Sequence, residues 1–198
     1  LVTQKIEDAR LYLNKAITLK PDDYESIKDL GNTFQAVRDI NNAKKFYKKA
    51  IAINSSYAPA LTNLGSIELN SGNKLDALSL LIKATESDPH LAAAWVNLAN
   101  VYVQLGQPQK AEVSTRKAID LNPNFFNSHF LLAAILIGQK RLREAEQPLR
   151  KSIELKPDFA EAHTNLGNML RELGQLQEAE LSHRQAIELK PDLAEAHS

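Results

Sequence analysis

Ala160–Leu193 reads AEAHTNLGNMLRELGQLQEAELSHRQAIELKPDL, and its closing Pro191, Asp192 and Leu193 lead into Ala194, Glu195, Ala196 and His197, the same four residues that open it. The chain starts over, with Ala194 standing where Ala160 stood. Laid back along the sequence, this framework fits four more times and then half a time. Pro21, Pro89, Pro123, Pro157 and Pro191 share one phase, with Ser55 filling the single gap. Leu30, Leu64, Leu98, Leu132 and Leu166 share another, and the next position reads Gly31, Gly65, Ala99, Ala133, Gly167. Small residues recur at Ala43, Ala77, Ala111, Ala145 and Ala179, and again at Ala50, Ala84, Ala118, Ser152 and Ala186. A fixed period of about 34 residues marks a repeat architecture.

Each unit reads as two helices. Ala162, Leu166, Met169, Leu170 and Leu173 recur at helical spacing, as do Leu176, Ala179, Leu181, Ala186, Ile187 and Leu189. Gly72, Gly106 and Gly174 stand where a helix end needs a left-handed residue. Pro191 ends the second helix, and Asp192 is placed to cap the next. Gly or Ala on the first helix is expected to face Ala on the second, which brings the backbones close while leucines fill the flanks. One hairpin cannot bury its apolar face alone, so neighbours must stack.

These residues resemble the tetratricopeptide repeat, whose pattern is an aromatic, Leu-Gly, a second aromatic, two alanines and a closing proline. Trp95, Leu98, Ala99, Tyr102, Ala111, Ala118 and Pro123 carry it most fully. The first aromatic site holds Ile27, Leu61, His129 and His163 elsewhere, and the second holds Glu68, Leu136 and Leu170. The resemblance implies an all-α, right-handed superhelical solenoid of helix-turn-helix repeats. Its divisions are a second helix of a partial repeat at 1–23, repeats at 24–57, 58–91, 92–125, 126–159 and 160–193, and the start of a further repeat at 194–198. The chain reads as a piece of a longer array, because neither end has a polar cap.

Composition narrows the function classes. Apolar residues are 43% and charged residues 24%, the balance of a folded chain. Basic and acidic residues number 24 each, without the electrostatic footprint of a nucleic-acid binder. There is no cysteine, so disulfides, thiolate metal sites and a cysteine nucleophile are excluded. The apolar runs are far short of a membrane span, and a cytoplasmic setting is expected. Glycine-rich phosphate loops, HExxH and nucleophile elbows are absent, so no catalytic residue, metal or cofactor is expected. His129, His163 and His197 share one phase of the grid and stack one per repeat. Three imidazoles on one zinc must each come within about 2.1 Å of it, so these are expected to pack at the first aromatic site.

The resemblance further implies that first helices line a concave groove where a protein or peptide partner binds, with the sixth and ninth positions of each repeat facing it. Those positions read Asp29 and Asn32, Asn63 and Ser66, Asn97 and Asn100, Leu131 and Ala134, Asn165 and Asn168. An asparagine amide donates and accepts, so it can pair with both groups of a peptide bond. With helices about 8–10 Å apart and a strand advancing about 3.3 Å per residue, one asparagine meets every third peptide unit. A similar ladder is found in the repeat arm of O-linked N-acetylglucosamine transferase. The other reading is that asparagine is simply a common solvated groove residue.

Lys28, Asn32 and Asn63 also match the first positions of the clamp with which some members grip a terminal carboxylate, but Ala93 and Asn97 replace its cationic pair. Repeat 126–159 departs from its neighbours. Phe130, Leu131, Ala134 and Ile137 give it an apolar face, with Gly138 at the helix end and Val96 and Val103 extending it from the preceding repeat. This face reads as an anchor or interface. Pro148 falls early in the second helix of the same repeat. Lys44, Lys45, Lys48 and Lys49 read as a solvated convex face. The function expected is a scaffold binding an extended peptide. The alternatives are the substrate-docking arm of a glycosyl- or sulfotransferase, or a homo-oligomer joined through the groove or the repeat ends.

Overall fold

The computed structural model describes residues 2–190, with side chains from residue 4 onward. Pro191, Asp192, His197 and the 194–198 segment lie outside the described residues. The described chain is all α: α1 (Val2–Leu19), α2 (Tyr24–Ala36), α3 (Ile40–Ile53), α4 (Ala58–Asn70), α5 (Lys74–Ser87), α6 (Ala92–Gln104), α7 (Pro108–Leu121), α8 (Phe126–Gly138), α9 (Leu142–Leu155), α10 (Ala160–Glu172) and α11 (Leu176–Leu189). It forms two compact units divided after Leu105, the first holding α1–α6 and the second α7–α11.

In the first unit α2 pairs with α3 and α4 with α5, while α1 packs on α2, α3 on α4, and α5 on α6. In the second, α8 pairs with α9 and α10 with α11, with α7 on α8 and α9 on α10. The small residues permit this stacking. Ala43, Ala50, Ala77, Ala84, Ala111, Ala118 and Ala145 are fully buried, and Ser152 takes the same place.

One expectation is corrected here: the glycines of the first helices do not face alanine. A Cβ on Gly31 would lie 2.7 Å from the Tyr47 ring, one on Gly65 2.7 Å from Leu81 Cγ, and one on Gly167 2.7 Å from the His183 ring. The close approach therefore admits a large side chain of the second helix against bare backbone, which leaves no room for a methyl group.

The turns α2–α3, α4–α5, α8–α9 and α10–α11 are Schellman closures. The amides of Asp39, Asn73, Arg141 and Gln175 donate to the carbonyls of Phe34, Glu68, Leu136 and Leu170, each at 2.9 Å. The residue just before each amide is left-handed. Gly72 (φ 85°) and Gly174 (φ 79°) take it without strain, whereas Arg38 (φ 62°) and Lys140 (φ 61°) do so with a Cβ. Gly138 ends α8 but does not supply the left-handed residue.

The turn between hairpins is set by extended residues ahead of proline. Asp88, Asn122 and Lys156 have φ between −139° and −142° and ψ of 84–91°. Asn54, followed by Ser55, adopts nearly the same geometry. The next first helix then starts on Tyr57, Leu91, Phe125 or Phe159, one residue after the phase assigned to Asp192, and none of these side chains caps it. Pro148 is the seventh residue of α9 rather than an early one, buried within a helix that runs on through it.

Candidate functional site

The groove positions are not treated alike along the chain. In the first, Asn32 lies on α2 and Asn63 on α4, at the ninth and sixth positions of successive repeats. Asn63 donates through Nδ2 to Asn32 Oδ1 at 2.8 Å. The Tyr47 hydroxyl of α3 stands 2.8 Å from the same oxygen and 2.6 Å from Gln35 Oε1. Asn32 Nδ2 donates to Asp29 Oδ1, which also pairs with Lys28. Burial pushes the Tyr47 hydroxyl up to about 12, so it stays protonated and can donate. Burial alone would lower Lys28, but the adjoining Asp29 carboxylate outweighs it and holds the ammonium above its usual value. Lys28, Asn32 and Asn63 are thus brought together, but onto one another.

A second closed network lies nearby. Glu68 of α4, at the second aromatic position, is only 5% exposed. It accepts from Lys44 Nζ of α3 at 2.7 Å and from Asn73 Nδ2 at 2.7 Å. Burial raises this carboxyl, yet the hydrogen bonds and charge of Lys44 and Asn73 more than offset it and hold the group below its usual range. Lys44 is therefore a structural partner and not part of a solvated run. Lys45, Lys48 and Lys49 are exposed as expected.

In the second unit an open cleft of about 510 Å³ is lined by Ala134, Ile137 and Gly138 of α8 and by Asn165, Asn168, Met169, Arg171 and Glu172 of α10. Ala134 and Asn165 hold the same two repeat positions as Asn32 and Asn63, but Ala134 offers Asn165 nothing to bond. Among the described residues no hydrogen bond engages the side chains of Asn165 or Asn168, nor those of Asn97 and Asn100 on α6 in the first unit. The cleft unites two sets of residues that the sequence kept apart, the asparagines of one repeat and the apolar face of the repeat before it.

The other apolar candidates are placed as follows. Phe130 meets Phe159 edge to face at 4.7 Å, and Phe126 meets Phe159 at 5.2 Å. Lys156 Nζ sits 4.7 Å above Phe126. Phe130 and Ile137 pack against the core of Leu132, Leu136, Leu149, Leu166 and Leu170. Leu131 is half-buried on α8, outside the cleft. Val96 is half-buried and Val103 exposed on α6, in the first unit. Sequence reasoning missed Phe126 and Phe159, although Tyr24 and Tyr57 meet at 4.7 Å in the same two phases of the grid.

In three repeats the first aromatic site is a donor site, whereas Ile27 and Leu61 fill it with buried apolar side chains. Trp95 Nε1 donates to the Pro89 carbonyl at 2.9 Å, and Nε2 of His129 and His163 stand 2.7 and 2.9 Å from the carbonyls of Pro123 and Pro157. A carbonyl only accepts, so each imidazole carries its proton on Nε2. Among the described residues no three His, Cys, Asp or Glu stand together as a metal site, and no helix is long and apolar enough to cross a membrane.

Solved structures share this architecture. The tetratricopeptide protein YrrB, described as having an unusual peptide-binding site, matches 91% of this chain over 93% of its own, at 26% identity and a TM-score of 0.73. PilF of Pseudomonas aeruginosa matches 97% of this chain over 87% of its own, at 22% identity and a TM-score of 0.86. A chain of the APC/C hetero-tetramer Cut9–Hcn1 matches 96% of this chain over 38% of its own, at 17% identity and a TM-score of 0.78. No curated protein matches the chain. The likeness to PilF and to the hetero-tetramer shows the fold alone, an all-α helical repeat. The family model of the cilia and flagella-associated protein 70 C-terminal domain matches residues 23–198, so the chain belongs to that tetratricopeptide-repeat family.

Proposed function

We propose that this chain is a cytoplasmic scaffold that holds an extended segment of a partner protein against its first helices, with the cleft between α8 and α10 as the principal contact. One observation carries the reading: Asn165 and Asn168 keep unengaged amides on the wall of a cleft whose accessible apolar lining is Ala134 and half-buried Ile137. Such amides can replace the hydrogen bonds that a peptide backbone loses on leaving water, and the apolar floor takes a side chain. Asn97 and Asn100 on α6 offer a second contact of the same kind. Lys28, Asn32 and Asn63 contribute less, because binding must first break their mutual bonds. A protein partner also suits a charge of zero, which gives no pull toward polyanions.

The test begins with peptides selected from a random display library against the full chain, with affinities read by fluorescence anisotropy. Asn165→Ala with Asn168→Ala is expected to weaken the selected peptides at least about tenfold, two lost backbone-directed hydrogen bonds being enough for that. Lys45→Ala with Lys49→Ala, on the exposed face of α3, serves as control. Equal losses in the two variants, or none in the first, would overturn the reading.

A further inference from the structure

The cleft also carries a charge that the fold does not use. Arg116, Arg141, Arg150 and Arg184 of the second unit are each engaged by glutamates at 2.5–3.0 Å, and Arg143, exposed on α9, lies outside the cleft lining. Arg171, on the cleft wall in the last turn of α10, has no carboxylate partner among the described residues. The one carboxylate lining the cleft, Glu172, lies 3.7 Å from Lys140 Nζ. With that pair balanced, the rim is left with one positive charge beside an apolar floor and two open amides.

We propose that the cleft selects an extended acidic peptide, one that presents an apolar side chain to Ala134 and Ile137 and a carboxylate, about two residues away, to Arg171. The proposal rests on the reading of the cleft as a peptide site and adds the chemistry of its occupant. Spacing sets the register. Asn165, Asn168 and Arg171 follow one another every third residue along α10. At about 1.5 Å of rise per residue, the first and last are about 9 Å apart along the axis. An extended segment covers that distance in about three residues. A backbone held at Asn165 and Asn168 therefore brings its next side chains level with the guanidinium. The fork of Arg171 suits a carboxylate in two-point contact, and because Arg171 is exposed that pair is worth what a surface ion pair is. The alternative role for Arg171 is to complement the carbonyl end of α10. That role would affect stability and not selectivity.

The test uses three terminally blocked heptapeptides in a serine–threonine background: one with Leu and Glu two residues apart, one with Leu and Gln, and one with Ser and Glu. Binding to the full chain is followed through the side-chain amide signals of Asn165 and Asn168 by NMR titration. The Leu–Glu peptide is expected to move both signals and to bind about fivefold more tightly than Leu–Gln, the upper range for an exposed charge pair. Arg171→Gln is expected to abolish that preference while both peptides still move the amides, and Arg171→Lys to restore part of it.

Equal affinities for Leu–Glu and Leu–Gln in the unmodified chain would overturn the acidic preference and leave the peptide cleft standing. So would an equal loss for both peptides in Arg171→Gln. If no peptide moves the amides, the peptide cleft and its preference both fall. Movement of the same amides on dilution of the protein alone would make a second copy of the chain the occupant and overturn the proposal.

Discussion

Around Asn32 and Glu68 the first unit closes its polar groups on one another, whereas the cleft between α8 and α10 of the second leaves its asparagines open. At matching repeat positions, Asn63 bonds to Asn32 whereas Asn165 faces Ala134. Glu68 is buried with Lys44 and Asn73 around it. The buried side-chain atoms without a partner among the described residues are Gln107 Oε1, Ser128 Oγ, Gln139 Nε2 and Ser152 Oγ, and all four fall in the second unit. A repeat position therefore fixes where a side chain points, while its neighbour in the adjoining repeat decides whether it is structural or available. Asn32 and Asn63 hold the scaffold, whereas the amides of Asn97, Asn100, Asn165 and Asn168 have no side-chain hydrogen bond among the described residues.

The sharpest way to break this contrast is to open the first unit. Lys44→Ala strands the Glu68 carboxylate and is expected to cost about 2 kcal/mol, below the figure for a fully buried pair because Lys44 is partly exposed. Urea denaturation checks it. The folded Glu68 carboxyl is held below its usual 4.5, so the stability it contributes is complete above about pH 4.5 and is lost as pH falls through the lower folded value. The difference between Lys44→Ala and the unmodified chain should therefore shrink from pH 7 to pH 3. A constant difference would show that Lys44 acts by packing its stem.

The reverse change closes the second unit. Ser128 and Ser152, 1% and 0% exposed, hold unbonded hydroxyls where the other repeats carry alanine, save for Ser26 at the phase of Ser128, whose hydroxyl donates to Asp23. Ser128→Ala with Ser152→Ala is expected to stabilise the chain by roughly 1–2 kcal/mol, the desolvation each orphan hydroxyl now costs. A thermal melt showing a loss would place a bound water or a bond on them. Next in size, Lys140→Gly relieves a left-handed residue with a side chain and should gain about 1 kcal/mol. The gain should disappear in Lys140→Ala, which keeps the Cβ. The smallest effect is expected from Ala134→Asn. It offers Asn165 the bond that Asn63 already has and should weaken peptide binding about threefold by making that bond compete. Unchanged affinity would mean the Asn165 amide does not touch the peptide.

The fold was legible because its determinants recur. Proline after an extended residue, a left-handed residue inside each hairpin and buried small residues all repeat at one interval, and chance does not repeat them. The site was half legible. Asn165 and Ile137 were both read as candidates, but on different grounds, because a sequence shows α8 and α10 as a full repeat apart rather than as two walls of one cleft. The bond between Asn32 and Asn63 was hidden for the same reason, as was the partner of Lys44. Arg171 drew no notice, since a cation near a helix end is ordinary until its neighbours are seen to leave it unpaired. Periodicity reveals direction, and pairing needs coordinates.

The ring nitrogens that reach the carbonyls of Pro89, Pro123 and Pro157 change what the repeat's first landmark means. That position is usually spelled as aromatic, and by that spelling His129 and His163 are misfits. Its working vocabulary is a flat ring with an N–H about three bonds from its root, which tryptophan and histidine both provide and phenylalanine does not. A search that weighs histidine with tryptophan there, instead of with the polar residues, would recognise arrays of this family that an aromatic template passes over.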